Sequence, residues 1–356
     1  MRIVQVNPFH YPFMGGIEHR IHHISSLLAE RHEVHVVTGQ LSGAKEEEEI
    51  GGYSVIRLPS KFYTAYNPPH IVTQGILEKL NELSPDVVDF HYRWSGSYRK
   101  AVRRYQGRKV FTFHNTFGEG EGLLGILSTI NDITHTRFVQ GFDRVVCVSE
   151  FVRRDLEQRG FPPEILEAVP NGVDAPEEID GEEGDFILFL GRLVKTKGLD
   201  YLIRAMESVD GRLVIAGGGP EQDHLNRIVT QNGLNDKVDI RGRVSEEEKH
   251  RLLSKCKLFV FPSTWESYGM AAAEAMSYGK AVIASDVGGL PEVVGDAGML
   301  VPPRDEGELV RAINLLLDED DDRRRLGRKA RERAKGYTWQ HAADEMEKIY
   351  AEVSSL

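Results

Sequence analysis

The feature that most constrains the fold is an alternation that runs the length of the chain. Short apolar runs at Ile3–Val6, Val34–Thr38, Tyr53–Leu58, Val87–Phe90, Val110–Phe113 and Val145–Val148 are separated by stretches with helical spacing. In the first of these stretches Ile17, Ile21, Ile24, Leu27 and Leu28 fall on one helix face. Strands of four to six residues, apolar throughout and separated by helices, predict a parallel sheet covered on both faces. After residue 185 the pattern begins again, with runs at Phe186–Leu190, Leu213–Ala216, Val238–Arg241, Leu258–Phe261, Ala281–Ala284 and Met299–Val301. Between the two series lies APEEIDGEEGD, Ala175–Asp185, acidic and poor in large apolar residues, which reads as a linker.

The expectation is an α/β protein of two domains in tandem, a comfortable division for 356 residues. Ligands of such sheets bind at the carboxyl ends of the strands, so two facing sheets would make a cleft. The acidic run Glu46–Glu49 reads as a solvated turn. The last helix, around Thr338–Val353, has Gly336 before it and is left able to pack on either domain.

Hydrophobic residues make up 40% and charged residues 28%, the balance of a soluble globular chain. A net charge of −11 argues against a nucleic-acid coat, which needs Lys and Arg in excess. Cys147 and Cys256 stand in apolar settings, with no second Cys or His at ligand spacing. They read as buried thiols of a reducing compartment. The start MRIVQVNPF lacks the apolar core of a signal peptide, and no stretch approaches the roughly 20 apolar residues of a membrane span. The expected location is cytoplasmic.

Three glycine-bearing turns follow strands. Met14-Gly15-Gly16-Ile17-Glu18 opens a helix, whose first N–H groups suit an anion. Gly191-Arg192-Leu193-Val194-Lys195-Thr196-Lys197-Gly198 brings three basic residues to a strand end, but not at the spacing of a P-loop. Gly217-Gly218-Gly219-Pro220 lets a strand turn sharply into a helix. Each of these alone is compatible with a plain tight turn or a surface charge cluster.

The segment FPSTWESYGMAAAEAMSYG, Phe261–Gly279, places Glu266 just before a small-residue helix and Glu274 inside it. A carboxylate among Ala271, Ala272, Ala273 and Ala275 is costly unless it is paired or bound to a ligand. Ionised carboxylates accept hydrogen bonds from sugar hydroxyls. Glu266 is placed to hold a sugar and Glu274 a ribose, with the N–H groups of Gly269, Met270 and Ala271 available to phosphate or sugar oxygens. Surface carboxylates on an amphipathic helix are the plainer alternative.

Taken in order, several motifs resemble the retaining glycosyltransferases of family four, which have the GT-B architecture. They are Gly15-Gly16-Ile17-Glu18, Pro170-Asn171-Gly172-Val173-Asp174, Gly191-Arg192…Lys197-Gly198 and Glu266-x7-Glu274. Val282-Ile283-Ala284-Ser285-Asp286-Val287-Gly288-Gly289, Pro291-Glu292-Val293-Val294 and Gly298-Met299-Leu300-Val301-Pro302-Pro303 extend the match. Each is soft alone; together they cover nearly the whole chain. The resemblance implies two facing Rossmann-like domains with a central cleft. The N-terminal, acceptor-binding domain would comprise residues 1–174 with a returning helix at 337–356, and the donor-binding domain residues 175–336.

It implies that Arg192 and Lys197 meet the diphosphate of the donor, Glu266 the transferred sugar, Glu274 the ribose, and the backbone of Gly242-Arg243-Val244 the base. Gly15, Gly16 and Gly217 complete the donor site. His114, at the end of KVFTFH, corresponds to a histidine that contacts the donor sugar. Its expected task is to orient the sugar and ease positive charge at the anomeric carbon. His10, Tyr11, His91 and Arg93 are the candidates for the acceptor side. The family retains anomeric configuration and usually works without metal, and no Asp-x-Asp triplet follows a strand here. No cofactor is expected beyond a GDP- or UDP-linked sugar as co-substrate.

His19, His22 and His23 share a helix but lack a carboxylate partner, and read as a helix flank rather than a metal site. Residues 93–109, RWSGSYRKAVRRYQGRK, carry seven basic residues, three aromatic residues and no acidic one. They fit a peripheral contact with an anionic membrane at its cytoplasmic face, a phosphorylated acceptor, or an ordinary solvated helix face. The functional expectation is hexose transfer to a carbohydrate, lipid-linked or small polar acceptor. The alternatives are a GT-B phosphorylase, a nucleotide-sugar epimerase, or a non-catalytic sugar-nucleotide binding protein. A nicotinamide dehydrogenase is disfavoured, because no G-x-G-x-x-G follows the first strand.

Overall fold

The computed structural model describes residues 1–63, 70–92, 95–115, 141–176 and 183–356. They fall into two compact units, Met1–Gly172 with Trp339–Leu356, and Val173–Thr338.

In the first unit the described strands are β1 (Arg2–Val6), β2 (Glu33–Gly39), β3 (Glu47–Ile50), β4 (Tyr53–Leu58), β5 (Ser60–Tyr63), β6 (His70–Thr73), β7 (Val87–Phe90), β8 (Lys109–Phe113), β9 (Arg144–Cys147) and β10 (Leu166–Ala168). Eight of them form one sheet in the order β10-β9-β8-β7-β1-β2-β4-β3, while β5 and β6 make a separate hairpin. Every pairing in the large sheet is parallel except that of β3 with β4. Helices α1 (Gly16–Ala29), α2 (Ile76–Leu83), α3 (Gly96–Arg104) and α4 (Glu150–Gln158) connect the strands. The strand order reverses between β1 and β7, so the loops after these strands diverge and leave a crevice.

The acidic run is not a turn. Glu47–Ile50 is the antiparallel edge strand β3, with Glu48 opposite Val55. The reason lies in β4, where the buried Arg57 pairs with Glu48 at 2.5 Å and donates to the carbonyls of Lys45 and Tyr11. The glutamates at 47 and 49 face outward, and charge on an edge strand discourages further pairing.

The last helix, Trp339–Ser355, belongs to this unit. Trp339, Ala342, Ala343, Met346, Ile349, Tyr350 and Val353 are buried at helical spacing. They join Ile21, Ile24 and Leu28 of α1 in one core with Ile3, Val34 and Val36 of the sheet. Roughly 1.5–3 kcal/mol per large apolar side chain buried is what holds a 17-residue helix so far from its neighbours in sequence.

The second unit holds strands β11 (Ile187–Leu190), β12 (Leu213–Ala216), β13 (Val238–Gly242), β14 (Leu258–Phe261), β15 (Val282–Ser285) and β16 (Met299–Val301). They run parallel in the order β13-β12-β11-β14-β15-β16, the Rossmann arrangement, with its reversal between β11 and β14. Helices α5 (Leu199–Ala205), α6 (Gln222–Gln231), α7 (Glu246–Lys255), α8 (Met270–Ser277), α9 (Leu290–Val294), α10 (Glu306–Asp318) and α11 (Asp320–Ala334) pack around it. Cys147 and Cys256 are both buried free thiols, and burial pushes the Cys256 thiol up to about 12. Among the described residues, no helix is long and apolar enough to cross a membrane.

Candidate active site

In the second unit the loops after β11 and β14 flank the reversal point, and they carry Arg192, Lys197 and Glu266. Lys195–Lys197 form a single 3-10 turn after β11. From it the Lys197 ammonium reaches across to the Glu266 carboxylate, in the loop after β14. Lys197 Nζ also lies 4.9 Å from the centroid of the Phe261 ring, a cation–π contact that holds the charge at the strand end. The side chains keep 17% and 14% of their surface exposed, so the pair is open to a ligand. Arg192 lies exposed on the same loop.

Two glycines let these loops close on one another. Gly217, after β12, has φ 143°, and a Cβ there would collide with the Gly191 carbonyl. Gly288, after β15, has φ 59°, and a Cβ there would collide with the Glu266 carbonyl. That same carbonyl accepts from Gly289 N–H at 3.1 Å. Glu266 is therefore held from beneath by the Gly288-Gly289 turn. The Arg243 side chain lies over Gly218, and Gly217 N–H donates to the Gly242 carbonyl at 2.8 Å. The loops after β11, β12 and β13 thus touch in sequence along one end of the sheet, with Val244 beside them.

Helix α8 begins at Met270, with Gly269 at its N-cap in the left-handed region, φ 103°. Alanine is the strongest helix former, and four small residues allow this short helix to pack tightly. Its first N–H groups, with those of Gly269, Met270 and Ala271, lack helical acceptors and project from the end where Glu266 lies. Glu274, one turn further on, keeps 19% of its side chain exposed. Burial holds its carboxyl above the usual range, opposed by Lys249, whose Nζ lies 3.4 Å away. Lys249 also pairs with Glu246 at 2.6 Å. It is absent from the sequence reading, because it sits in a run of surface-like charges on α7 and only the fold brings it to Glu274.

In the first unit the loop after β1 leads to Gly15, which caps α1 with extended backbone, and to Gly16, the first residue of the helix. Beneath the loop Glu18 is buried and accepts from Asn7 Nδ2 at 2.9 Å. Burial pushes its carboxyl up to about 7. Arg20, also buried, donates to the carbonyls of Val169 and Pro170 and to Asn171 Oδ1 at 2.8 Å. It ties the glycine-loop helix to the Pro170-Asn171 turn.

His91 and His114 follow the adjacent strands β7 and β8, with His91 Nδ1 2.9 Å from His114 Nε2. His91 is buried, and desolvation takes its pKa down to about 4. His10 is fully buried, with Nε2 2.8 Å from the Tyr53 hydroxyl, and is pushed down to about 3, first by burial and then by His22. Its ring packs edge-on to Tyr11 and tilted against Tyr53. Tyr11 is half-buried, and its carbonyl takes the Arg57 bond. Arg93 lies outside the described residues. His22 bonds Tyr53 at 2.9 Å and His23 stacks on Trp339, so this cluster packs the helix flank. On α3 the basic side chains of Arg99, Lys100, Arg103 and Arg104 line a hollow of about 500 Å³ with Gly96.

Residues 14–176 match the family described as Glycosyltransferase Family 4, and residues 174–333 match Glycosyl transferases group 1. The uncharacterized glycosyltransferase MJ1178 of Methanocaldococcus jannaschii is 28% identical over 97% of both chains. The GDP-mannose-dependent alpha-(1-6)-phosphatidylinositol dimannoside mannosyltransferase of Mycobacterium tuberculosis is 28% identical, over 97% of this chain and 95% of its own. Sucrose-phosphate synthase from Thermosynechococcus elongatus superposes with a TM-score of 0.82 over 99% of both chains at 22% identity, a likeness of fold. With a family match at each end and two Rossmann-like sheets, the chain belongs to the family-four glycosyltransferases of the GT-B fold and is a hexosyltransferase.

Proposed function

We propose that the protein transfers a hexose, with retention of anomeric configuration and without metal, from a GDP- or UDP-sugar to a lipid-linked acceptor at an anionic membrane surface. The observation that carries the reading is the Lys197–Glu266 pair at the reversal point of the second sheet. Glycosyl transfer creates negative charge on the departing diphosphate, and preorganised cations and helix N–H groups act most strongly on charge that develops in the transition state. Lys197, Arg192 and the start of α8 are such groups. Glu266 then exchanges the ammonium for sugar hydroxyls, and Glu274 accepts from the ribose. The bond from the anomeric carbon to the diphosphate oxygen breaks as the bond to the acceptor oxygen forms on the same face, and the acceptor proton passes to the departing phosphate. His114 orients the sugar and eases the positive charge at the anomeric carbon.

The lipid acceptor draws support from the phosphatidylinositol dimannoside named for the mycobacterial relative and from the basic hollow on α3. A thermal-shift panel of GDP-, UDP- and ADP-sugars, with and without EDTA, tests the donor: binding to the folded state alone raises the melting temperature. A shift with GDP- or UDP-sugar that survives EDTA is expected. Absence of a shift with both, or its loss on chelation, removes the reading. The anomeric configuration of the product, read by NMR, tests retention.

A further inference from the structure

The first unit contains a buried chain of hydrogen bonds that leads to His114 and whose other members the proposed function leaves unused. It starts at Asp89 in β7, which is fully buried. Asp89 accepts from the Thr112 hydroxyl at 2.8 and 3.0 Å and from the Tyr350 hydroxyl at 2.6 Å. Tyr350 comes from the last helix, 261 residues away in sequence. Gln5 Nε2, in β1, donates to the Tyr350 oxygen at 2.9 Å. Gln5 Oε1 lies 2.5 Å from His91 Nε2, and His91 Nδ1 lies 2.9 Å from His114 Nε2.

The donor and acceptor roles along this chain follow from one end. A carboxylate only accepts, so Tyr350 spends its single proton on Asp89. Its oxygen is then left to accept, which turns the NH2 end of Gln5 toward it. The carbonyl end of Gln5 must therefore face His91, and a carbonyl also only accepts. His91 consequently carries its proton on Nε2. Burial keeps His91 neutral: desolvation is the leading cause, Arg20 acts the same way, and Asp89 opposes them. A neutral ring protonated on Nε2 has a bare Nδ1, so His114 Nε2 donates to it. The pieces come from β1, β7 and β8, neighbours in the sheet, and from one helix packed on it.

We propose that Tyr350, Gln5 and His91 are positioning residues that orient the His114 ring by holding a proton on its Nε2, directed at His91 Nδ1. This rests on the reading of His114 as a contact of the donor sugar. The last helix is then more than a cover for the core, since it supplies the hydroxyl that sets the proton order of the whole chain.

The test reads the tautomer directly, by long-range 1H–15N correlation on the full chain labelled at histidine, with His114 assigned through its loss in His114→Asn. Wild type is expected to show His114 protonated on Nε2. Tyr350→Phe removes only the hydroxyl, freeing the Gln5 amide to turn. It is expected to give mixed tautomers at His114 and a kcat lowered about 10- to 100-fold, with the donor KM within about twofold. Thr112→Val removes a bond to Asp89 but no link of the chain, and is expected to leave the tautomer as it was. A wild-type His114 protonated on Nδ1, or an unaltered tautomer in Tyr350→Phe, overturns the proposal. Activity of His114→Asn is a separate measurement. Full turnover there would sink the sugar-contact role, and with it the catalytic meaning of the chain, even where the tautomer is as inferred.

Discussion

Lys197 and Glu266 are ion-paired across the point where the strand order of the second sheet reverses, although 69 residues separate them. Both side chains keep a small exposed edge at the strand ends, where a diphosphate can engage the ammonium and sugar hydroxyls the carboxylate. Lys197→Ala and Glu266→Ala are each expected to lower kcat by about 10²- to 10³-fold, with melting temperatures within a few degrees of wild type. Near-normal turnover in either variant would remove the pair from the chemistry.

Glu274 is expected to act on binding rather than on turnover. Glu274→Gln loses an ionic acceptor worth about 1.5 kcal/mol, or roughly tenfold in donor KM, with kcat nearly unchanged. Its carboxyl is held high by burial, with Lys249 opposing and Glu246 and Asp174 adding to the rise. The donor KM of wild type should therefore climb as pH falls through that raised value, because the protonated acid accepts poorly. In Glu274→Gln the same pH series should be flat.

Much of this site was legible in the sequence because its parts are local. Arg192 and Lys197 share one loop, Glu266 and Glu274 one loop and helix, and each loop follows an apolar run that can only be an inner strand. Order along the chain then brings them to one end of a sheet. Lys249 was hidden because nothing in EEEKHRLL separates it from its charged neighbours. Gln5, Asp89 and Tyr350 were hidden for another reason. Each stands inside an apolar element, and a polar residue there shows its purpose only once its partner is known. The acidic edge strand was misread because a charged outer strand has the composition of a turn, and only the buried Arg57 tells the two apart.

The Glu18 carboxyl gives a prediction on stability. Its pKa rises from an ordinary 4.5 to about 7 in the folded protein, chiefly through burial. Between those values the folded state holds a proton that the unfolded state has lost. Stability from this group is therefore full below about pH 4.5 and declines as pH rises toward 7, by at most about 3 kcal/mol. His10 and His91 have the opposite sign: their values, lowered to about 3 and about 4, favour the folded state as pH rises from there toward 6.5, where the gain is complete. The comparison that isolates Glu18 is wild type against Glu18→Gln in urea titrations at pH 5 and pH 8. The variant should gain on wild type at pH 8. A difference that does not change with pH would show that the carboxyl ionises freely.

The basic hollow on α3 predicts a salt-sensitive attachment to anionic lipid. Lys100, Arg103 and Arg104 are exposed, and Arg99 is half-buried beside Arg103, so that burial first and then the neighbouring charge lower its pKa. Clustered cations of this kind gain from an anionic surface what they lose against one another. At about 1 kcal/mol for each basic side chain near such a surface, replacing Lys100, Arg103 and Arg104 by Ser should weaken binding to phosphatidylinositol-containing vesicles by roughly 150-fold. These residues lie away from the Lys197–Glu266 pair in sequence and belong to the other compact unit. Transfer to a soluble acceptor analogue should therefore persist in the triple variant while transfer to vesicle-borne acceptor falls. Equal co-sedimentation of wild type and variant at low salt would show that α3 is only a solvated face.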